Sequence, residues 1–265
     1  MTQRIDSAAS IAIDDRGFTL GDALFETLLV RDGKAVALHA HLRRLRRGFE
    51  RLRYRNAPTS EALVDLIEAK LSASDLTHGS LRLTVSRGAA PRGLLPPADI
   101  EPTVVVQLID AAPVPQHLAL VVSEEVTLHA NSALRGVKTT NYLEQTLALM
   151  AAKERGFDDV LLMNTDGRLV CASSAAVILR VDDELLTPAA GDGALVGTTL
   201  QHFIDLGLVN PRSLTRSDLK VASMAVLVTS LGIRSVRSCV VGNESVDFDR
   251  SDDDRVLRDA FDRIE

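Results

Sequence analysis

The stretch Gly136-Val-Lys138-Thr-Thr-Asn-Tyr-Leu-Glu-Gln145 places a lysine directly before an amphipathic helix. The amine of Lys138 therefore lies at the junction of two elements rather than along a solvated helical face. Most lysines are simply solvated, so this residue alone does not indicate catalysis. The motifs that accompany it along the chain decide its interpretation.

Three further motifs accompany the lysine segment. Residues 14–27 read DDRGFTLGDALFET, residues 41–45 read HLRRL, and residues 197–199 read GTT. With the lysine segment, these motifs resemble the class IV pyridoxal-phosphate enzymes, which include branched-chain aminotransferases, D-amino-acid aminotransferases and aminodeoxychorismate lyases. The resemblance covers nearly the whole chain, and four ordered motifs are far more specific than any one of them.

The resemblance implies an α/β (α+β) fold of two domains. The small N-terminal α/β domain is expected at residues 1–112, and a larger C-terminal domain with a β-barrel-like sheet at residues 117–265 carries the lysine. The connector at 113–116 is chosen because Pro113 and Pro115 interrupt both helix and sheet. The resemblance also implies a cofactor between the domains and a homodimer with each site near the subunit boundary.

The bulk composition is that of a globular protein and excludes several classes of function. The 265 residues are 46% hydrophobic and 25% charged, which is enough to bury one large core or two smaller ones. A net charge of -6 gives no electrostatic reason to expect nucleic acid. No apolar run is long enough to span a bilayer. A small-molecule amino substrate is the expected partner.

The cysteines and histidines indicate neither a disulfide nor a metal site. Cys171 and Cys239 lack paired ligand spacing, and the start of the chain lacks the pattern of a signal peptide. A reducing, cytoplasmic setting is therefore expected, with both thiols in the core. His39 and His41 suit a strand face, but no acidic cluster accompanies them.

Apolar periodicity and turn residues predict alternating strands and helices. The predicted strands cover residues 11–13, 27–30, 35–38, 81–85, 103–108, 118–122, 159–163, 169–171, 177–181 and 226–229. The predicted helices cover residues 41–52, 60–71, 142–155, 199–206 and 252–264. Hairpin turns are expected at 31–34 and 164–167. The acidic residues at 247–254 are interpreted as a solvated charge run that complements the dipole of the last helix.

The chemistry of the resembled family gives Lys138 its expected role. Pyridoxal phosphate is an electron sink, and the protein must hold its aldehyde carbon, fix its phosphate and control its ring electronics. Lys138 is expected to hold the cofactor as a Schiff base and to act as general base once a substrate amine displaces it. The resemblance places Tyr142 at the ring hydroxyl, and the Leu-Glu-Gln that follows favours the lyase branch.

Phosphate binding needs a helix N-terminus with exposed amides and nearby hydroxyls. Thr198 and Thr199 follow Gly197 at a predicted helix start and supply both. By resemblance, Arg44 and Thr229 complete this phosphate site. Without the lysine, the same glycine turn would indicate only an ordinary helix cap.

One segment departs from the family. The family has a glutamate that keeps the pyridine nitrogen protonated, and here the comparison puts Ala172 at that position and Val177 in place of a following asparagine. Three alternatives remain open. Ser173, Ser174 or a water molecule contacts the ring nitrogen; the chain is a catalytically degenerate relative; or its reaction needs only a weak electron sink.

The last alternative suits a lyase. Removing pyruvate from aminodeoxychorismate yields aromatic 4-aminobenzoate, so the product itself stabilises the elimination, whereas a transaminase relies on the cofactor ring. Aminodeoxychorismate lyase, a step of folate synthesis, is therefore the favoured activity. A branched-chain or D-amino-acid aminotransferase is the nearest alternative.

Substrate contacts are expected from the N-terminal half. Arg92 lies in a loop rich in glycine and proline, where its planar guanidinium could pair with a substrate carboxylate. The D-amino-acid enzymes have a histidine two residues further on, and Leu94 stands there instead. Thr27 is expected to offer a hydroxyl to the substrate or to the lysine, whereas Glu26 is interpreted as structural.

Overall fold

The computed structural model describes residues 10–248 and 254–265. Their contacts divide the chain into two compact units. The first contains the described residues up to Ala112, together with Val137–Asn141 and Glu265, and the second contains the described residues of Pro113–Gly136 and Tyr142–Ile264. The predicted mixed α/β class is confirmed, with two curled sheets.

The first unit is a four-stranded antiparallel sheet covered by helices. Its elements are α1 (Arg16–Leu20), β1 (Ala23–Arg31), β2 (Lys34–Ala35), α2 (Leu38–Arg51), α3 (Ser60–Ser72), β3 (Gly79–Ser86) and β4 (Thr103–Asp110). The strand order is β2-β1-β3-β4. The predicted hairpin turn between β1 and β2 is present, with φ of 50° at Asp32 and 72° at Gly33. These positive angles match the strand twist in a two-residue turn.

Strand β1 presents two different faces because successive side chains alternate across a sheet. Leu24 and Leu28 enter the core of the first unit, where they pack with Leu42 and Leu45 of α2. Glu26 lies between the two leucines in sequence and is fully buried. The sequence therefore directs a carboxylate to the face of β1 that carries the core leucines.

The lysine segment belongs to the first unit, whereas the sequence analysis expected it in the second domain. Its backbone pairs with β1: the N–H of Phe25 donates to the C=O of Lys138 at 3.0 Å, and Thr139 forms a bridge with Leu24. Val137 packs against the core of this unit. A sequence boundary at the connector could not reveal that five later residues return to the first sheet.

The second unit contains the larger sheet. Its strands are β5 (Leu118–Leu128), β6 (Asp159–Asn164), β7 (Leu169–Ala172), β8 (Ala176–Val181), β9 (Glu184–Pro188), β10 (Asn210–Arg212), β11 (Met224–Thr229), β12 (Gly232–Val241) and β13 (Glu244–Asp247). The order is β10-β9-β8-β11-β12-β5-β6-β7, and β13 pairs with β12. The helices are α4 (Leu143–Glu154), α5 (Thr198–Asp205), α6 (Arg216–Val221) and α7 (Arg255–Asp262), with a 3-10 turn at Ala190–Asp192.

Apolar side chains on both faces of this sheet hold the helices in place. Every residue of β6 is buried, and Ala148 and Ala152 of α4 share a core cluster with this strand. Leu200 and Phe203 of α5 share another cluster with β11. The N-terminus of α5 is thereby fixed by packing along the rest of the helix.

Several local predictions were wrong or incomplete. Residues 11–13 do not form a strand, and Ile11 and Ile13 are 53% and 85% exposed. Residues 36–38 leave the sheet, since α2 begins at Leu38. The sequence patterns did not predict β9, β10, β12, β13, α1 or α6. Most of the acidic run at 247–254 and the first two residues of the predicted last helix lie outside the described residues. Within the described part of the chain, no helix has both the length and the apolar character needed to cross a bilayer.

Candidate active site

The amine of Lys138 lies against the aromatic ring of Phe25, with Nζ 4.3 Å from the ring centre. The lysine is half-buried. Burial lowers the pKa of Lys138 to about 8, the positive charges of Arg44 and Arg82 lower it further, and the carboxylate of Glu26 opposes them. Because a neutral amine is the nucleophilic form, this environment prepares Lys138 for addition to an aldehyde.

The ring of Phe25 also contacts a second cation. The guanidinium carbon of Arg82 lies 3.8 Å from the ring centre. Arg82 stands opposite Thr27 in the register of β3 and β1, and both residues are half-buried. The sequence motifs did not indicate Phe25 and Arg82 as site residues. The alternation of β1 was the available signal, since Phe25 and Thr27 fall on the face opposite Glu26.

Glu26 is the centre of a buried polar group next to the lysine. The Nε of Arg44 donates to its carboxylate at 2.9 Å, and a second guanidinium nitrogen of Arg44 donates to the other oxygen. Nδ1 of His41 lies 2.7 Å from that second oxygen, and it must donate because a carboxylate only accepts. His41 and Arg44 lie three residues apart on α2, so both reach the same partner.

The charges of this group are set by burial and by the partners together. Burial alone would raise the pKa of Glu26, but hydrogen bonds from Arg44 and His41 and the charge of the guanidinium lower it below the ordinary value. Burial, together with the positive charges of Arg44 and Lys138, lowers the pKa of His41 below its ordinary value, although the carboxylate of Glu26 raises it. The group is therefore an ionised carboxylate, a guanidinium and a neutral imidazole, and Glu26 is structural in this arrangement.

Arg44 differs from the other arginines of α2. It is buried, whereas Arg43, Arg46 and Arg47 are exposed. Its charge acts on the amine of Lys138. The structure therefore brings Arg44 and Lys138 together in the first unit, as candidates for the same site.

Arg92 lies in the exposed loop between β3 and β4. Arg16 anchors this loop by donating to the carbonyls of Gly93 at 2.8 Å and Leu94 at 2.7 Å. Arg16 in turn is paired with Asp22 at 3.0 Å. The motif at residues 14–27 thus has a physical role that the sequence did not reveal, because it fixes the loop that carries Arg92.

The predicted phosphate site lies in the second unit. Helix α5 begins at Thr198 with Gly197 as its N-cap, and glycine has no side chain to occupy the first amides. A Cβ added at Gly197 would meet no described atom within 4 Å. Thr198 is half-buried and Thr199 is buried. This helix start can therefore accept an anionic group on its backbone amides.

Three other predicted residues also lie in the second unit. The hydroxyl of Thr229 accepts from the N–H of Leu231 at 3.1 Å, within the turn that joins β11 to β12. Tyr142 is the N-cap of α4 and is half-buried. Ser173 is buried, and its N–H donates to Asp159 at 3.2 Å. The hydrogen bonds of Thr229 and Ser173 fix the backbone around these two residues.

Ala172 and Val177 do not point toward a polar site. Both side chains are nearly inaccessible to solvent and belong to a core cluster of the second unit. The neighbouring Cys171 is half-buried and packs on a different cluster, where the charges of Arg135 and Asp159 act on its thiol. Burial raises the pKa of Cys171 to about 12, so the thiol stays protonated. The burial of Ala172 in this apolar cluster does not favour the interpretation that it faces a cofactor ring.

Each unit, taken by itself, contains residues whose chemistry suits one part of the cofactor that the sequence predicts. A half-buried lysine of lowered pKa suits an aldehyde, and an uncapped helix N-terminus suits a phosphate. The stretch Leu169–Ile178 contains no acidic residue. The absence of a carboxylate therefore does not depend on which position of this stretch is compared with the family.

Comparisons with known proteins agree with this chemistry. The amino-transferase class IV family model matches residues 23–239. The chain is 28% identical over 224 residues to the bifunctional aminodeoxychorismate lyase / D-amino acid transaminase of Mycobacterium tuberculosis, covering 80% of this chain and 77% of that protein. It is 26% identical over 220 residues to the D-alanine aminotransferase of Listeria monocytogenes, covering 82% and 75%. The crystal structure of 4-amino-4-deoxychorismate lyase from Pseudomonas aeruginosa is similar with a TM-score of 0.81 and 27% identity, covering 97% of this chain and 94% of that one.

Proposed function

The chain belongs to the amino-transferase class IV family, and on that premise we propose that it is an aminodeoxychorismate lyase. It converts 4-amino-4-deoxychorismate to 4-aminobenzoate and pyruvate, a step of folate synthesis. Its cofactor is pyridoxal 5'-phosphate. The observation that carries the proposal is the half-buried amine of Lys138, whose pKa is lowered to about 8 beside Arg44 and Phe25.

Each residue has a task defined by its chemistry. When bound, pyridoxal phosphate supplies an aldehyde for amines and a ring that accepts electrons. Lys138 would hold the aldehyde carbon of the cofactor and would serve as the general base that moves protons at the substrate. Arg44 supplies a positive charge near the amine of Lys138, and its guanidinium is oriented by the carboxylate of Glu26, which His41 also contacts.

The remaining predicted residues bind and orient. We assign the phosphate to the amides and hydroxyls of Thr198 and Thr199, with Thr229 at the neighbouring turn. Tyr142 and Ser173 would contact the cofactor ring. For the substrate, we assign Arg92 to a carboxylate and Thr27 to a hydroxyl contact near the lysine, since both lie in the unit that contains Lys138.

The lyase is favoured over an aminotransferase by two features. No residue of Leu169–Ile178 can keep the ring nitrogen protonated as a carboxylate would, and elimination to an aromatic product needs such help least. The Leu-Glu-Gln after Tyr142 also resembles the lyase branch. The lyase named among the compared crystal structures supports the same choice.

A branched-chain or D-amino-acid aminotransferase is the second candidate. The relative from Mycobacterium tuberculosis, which is named for both a lyase and a transaminase, favours it as an additional activity. One pair of assays on the same preparation tests the choice: pyruvate released from aminodeoxychorismate, and keto acid formed from D-alanine, D-glutamate and leucine. Pyruvate release supports the lyase. Product in the second assay alone rejects it.

A catalytically degenerate homologue is the third candidate, suggested by the missing carboxylate. A protein that purifies with absorbance near the visible edge, which is lost in Lys138→Ala, contradicts this candidate. A protein that is colourless and takes up no added pyridoxal phosphate supports it. Lys138→Ala should keep the far-ultraviolet circular dichroism of the parent, which separates cofactor loss from unfolding.

We propose in addition that the enzyme is a cytoplasmic homodimer. The free thiols of Cys171 and Cys239, one half-buried and one buried, suit a reducing compartment. The homodimer follows from the resemblance of the sequence to its family.

A further inference from the structure

The lysine segment is joined to β1 by a very short stretch of backbone pairing. The N–H of Phe25 donates to the C=O of Lys138 at 3.0 Å. Two residues further on, the N–H of Thr140 donates to the C=O of Ala23, also at 3.0 Å. A slip of one residue in this pairing would turn the lysine to the opposite face of the sheet. A further contact is therefore needed to keep Lys138 on the side of the Phe25 ring.

Side chains of the same segment supply this contact. The C=O of Gly21 accepts from the hydroxyl of Thr140 at 3.1 Å and from the side-chain amide of Asn141 at 2.9 Å. The N–H of Ala23 also donates to this oxygen, at 2.9 Å. We call the two side-chain hydrogen bonds to the Gly21 carbonyl the Gly21 anchor. The anchor follows Lys138 directly and belongs to the same unit.

The conformation of Gly21 suits it to this contact. Gly21 ends α1 with a φ of 65°, in the left-handed region that favours glycine. A Cβ added at this position would lie 2.7 Å from Oδ1 of Asn141. Both the backbone angle and the Asn141 side chain therefore oppose any other residue at position 21. The glycine of the motif at residues 14–27 is thereby coupled to the lysine segment.

We propose that Asn141 is a positioning residue for Lys138, acting through the Gly21 anchor to hold the lysine segment in register with β1. The inference rests on the proposed role of Lys138 as the residue that holds the cofactor. Asn141 lies three residues beyond the lysine, so it acts through the main chain rather than on the reacting atoms. Its own N–H donates to the hydroxyl of the buried Thr139 at 3.3 Å, which fixes the end of the segment a second time.

Amide hydrogen exchange resolved to single residues measures the anchor directly. The Phe25 amide is exposed to exchange when the Lys138 carbonyl moves away from it. Loss of one hydrogen bond shifts such an opening equilibrium by about fivefold. Asn141→Ala is therefore expected to speed the exchange of the Phe25 amide by about this factor.

Asn56 provides the matched control for this change. Its side-chain amide donates to the C=O of Ile100 at 3.0 Å, and Asn56 and Asn141 are both exposed residues of the first unit. Asn56→Ala loses the same kind of hydrogen bond away from the lysine, so the exchange of Phe25 should stay at the parental rate. Equal acceleration in the two variants, or none in Asn141→Ala, would overturn the proposal.

The reactivity of Lys138 gives a readout that a merely structural role would not move. A displacement of about 1 Å can lower the rate of a reaction by about 100-fold. The rate at which the apoprotein forms a borohydride-reducible adduct with pyridoxal phosphate on Lys138 is expected to fall by about threefold or more in Asn141→Ala. Asn56→Ala should keep the parental rate. Equal rates in both variants, at equal folded fraction, contradict a positioning role.

Two changes of similar side-chain size test the hydrogen bonds themselves. Asn141→Asp and Thr140→Val each remove the donor to Gly21, because a carboxylate only accepts and valine has no hydroxyl. Both are expected to speed the exchange of the Phe25 amide. Parental exchange in both variants would show that the hydrogen bonds to Gly21 do not hold the segment.

The glycine side of the contact has its own matched pair. Gly33 has a φ of 72°, and a Cβ added there would meet only the Leu76 carbonyl oxygen, at 4.0 Å. Gly21→Ala and Gly33→Ala therefore share the backbone strain, and Gly21→Ala alone disturbs Asn141. Faster exchange of Phe25 is expected in Gly21→Ala only, and the same exchange rate in both variants would contradict the anchor.

The exchange measurements require neither cofactor nor substrate. A parent protein that takes up no pyridoxal phosphate on Lys138 contradicts the cofactor assignment, whereas the exchange of Phe25 still decides whether the Gly21 anchor holds the lysine segment. The two failures are therefore distinguishable.

Discussion

The amine of Lys138 lies 4.3 Å from the centre of the Phe25 ring, and the N–H of Phe25 donates to the C=O of Lys138 at 3.0 Å. The two residues, far apart in sequence, are therefore joined through both backbone and side chain. The backbone hydrogen bond fixes the position of the Lys138 main chain, and the Phe25 ring limits the positions that the Lys138 amine can take. This double attachment orients the amine before any ligand binds.

The ring of Phe25 should stabilise the protonated amine through a cation–π interaction. Such contacts contribute about 0.5–2 kcal/mol, so Phe25→Leu should lower the pKa of Lys138 by about 0.4–1.5 units. The pH dependence of pyridoxal phosphate uptake by the apoprotein measures this change. Phe25→Tyr keeps the aromatic face and serves as the control. An unchanged midpoint in Phe25→Leu would show that the ring does not act on the amine.

The lowered pKa of Lys138 should control how fast the cofactor binds. With a pKa of about 8, about a tenth of the amine is neutral at pH 7, compared with about three parts in ten thousand for an ordinary lysine. The rate of cofactor uptake should therefore rise with pH and level off above about pH 8. Nα-acetyllysine provides the reference for an unperturbed amine. A midpoint near that of the reference compound contradicts the proposed environment.

The Glu26 carboxylate should be essential for the fold of the first unit. Glu26→Gln leaves the buried guanidinium of Arg44 without its counter-charge, which is expected to lower the free energy of unfolding by about 3–5 kcal/mol. Glu26 also raises the pKa of Lys138, so its loss should move the midpoint of cofactor uptake to lower pH.

The matched control for this change lies on α2. Glu50 pairs with Arg46 at 3.5 Å, and both side chains are mostly exposed. Glu50→Gln should alter the unfolding free energy by less than about 1 kcal/mol and leave the uptake midpoint unchanged. Denaturant unfolding followed by circular dichroism gives both free energies. Equal losses of unfolding free energy in Glu26→Gln and Glu50→Gln would mean that the buried ion pair stabilises the fold no more than the exposed one.

Ala172→Glu should unfold or strongly destabilise the protein. The Ala172 side chain is 1% exposed within an apolar cluster, and an unpaired carboxylate there loses its hydration. Cys171→Glu is the matched comparison, because the charge of Arg135 acts at that position. Thermal unfolding of both variants tests the expectation. A soluble Ala172→Glu variant with parental stability would show that residue 172 can reach a polar site.

The sequence predicted those elements that depend on neighbouring residues, such as turns and amphipathic helices. The turn at residues 31–34 was predicted because aspartate and glycine tolerate positive φ, and it joins β1 to β2. Most helices were predicted from their apolar spacing. Residues 11–13 were misjudged because an apolar run indicates burial only if another element covers it, and Ile13 remains 85% exposed.

The environment of Lys138 depends on contacts between distant residues, and no local pattern encodes it. Glu26 could be interpreted as structural from its position on β1, but its bonds to His41 and Arg44 required the placement of α2. The pairing of Phe25 with Lys138 and the position of Arg82 on the Phe25 ring likewise follow from the folded sheet. The roles assigned to Thr198, Thr199 and Tyr142 remain predictions.

The most direct test of the account is to identify the residue that holds the cofactor. The chain has five lysines, at positions 34, 70, 138, 153 and 220. After incubation with pyridoxal phosphate and reduction with borohydride, peptide mass spectrometry should find the added mass on the peptide that contains Lys138, and Lys138→Ala should lose it. Stoichiometric labelling of a different lysine, or no labelling of the folded protein, would contradict the central claim.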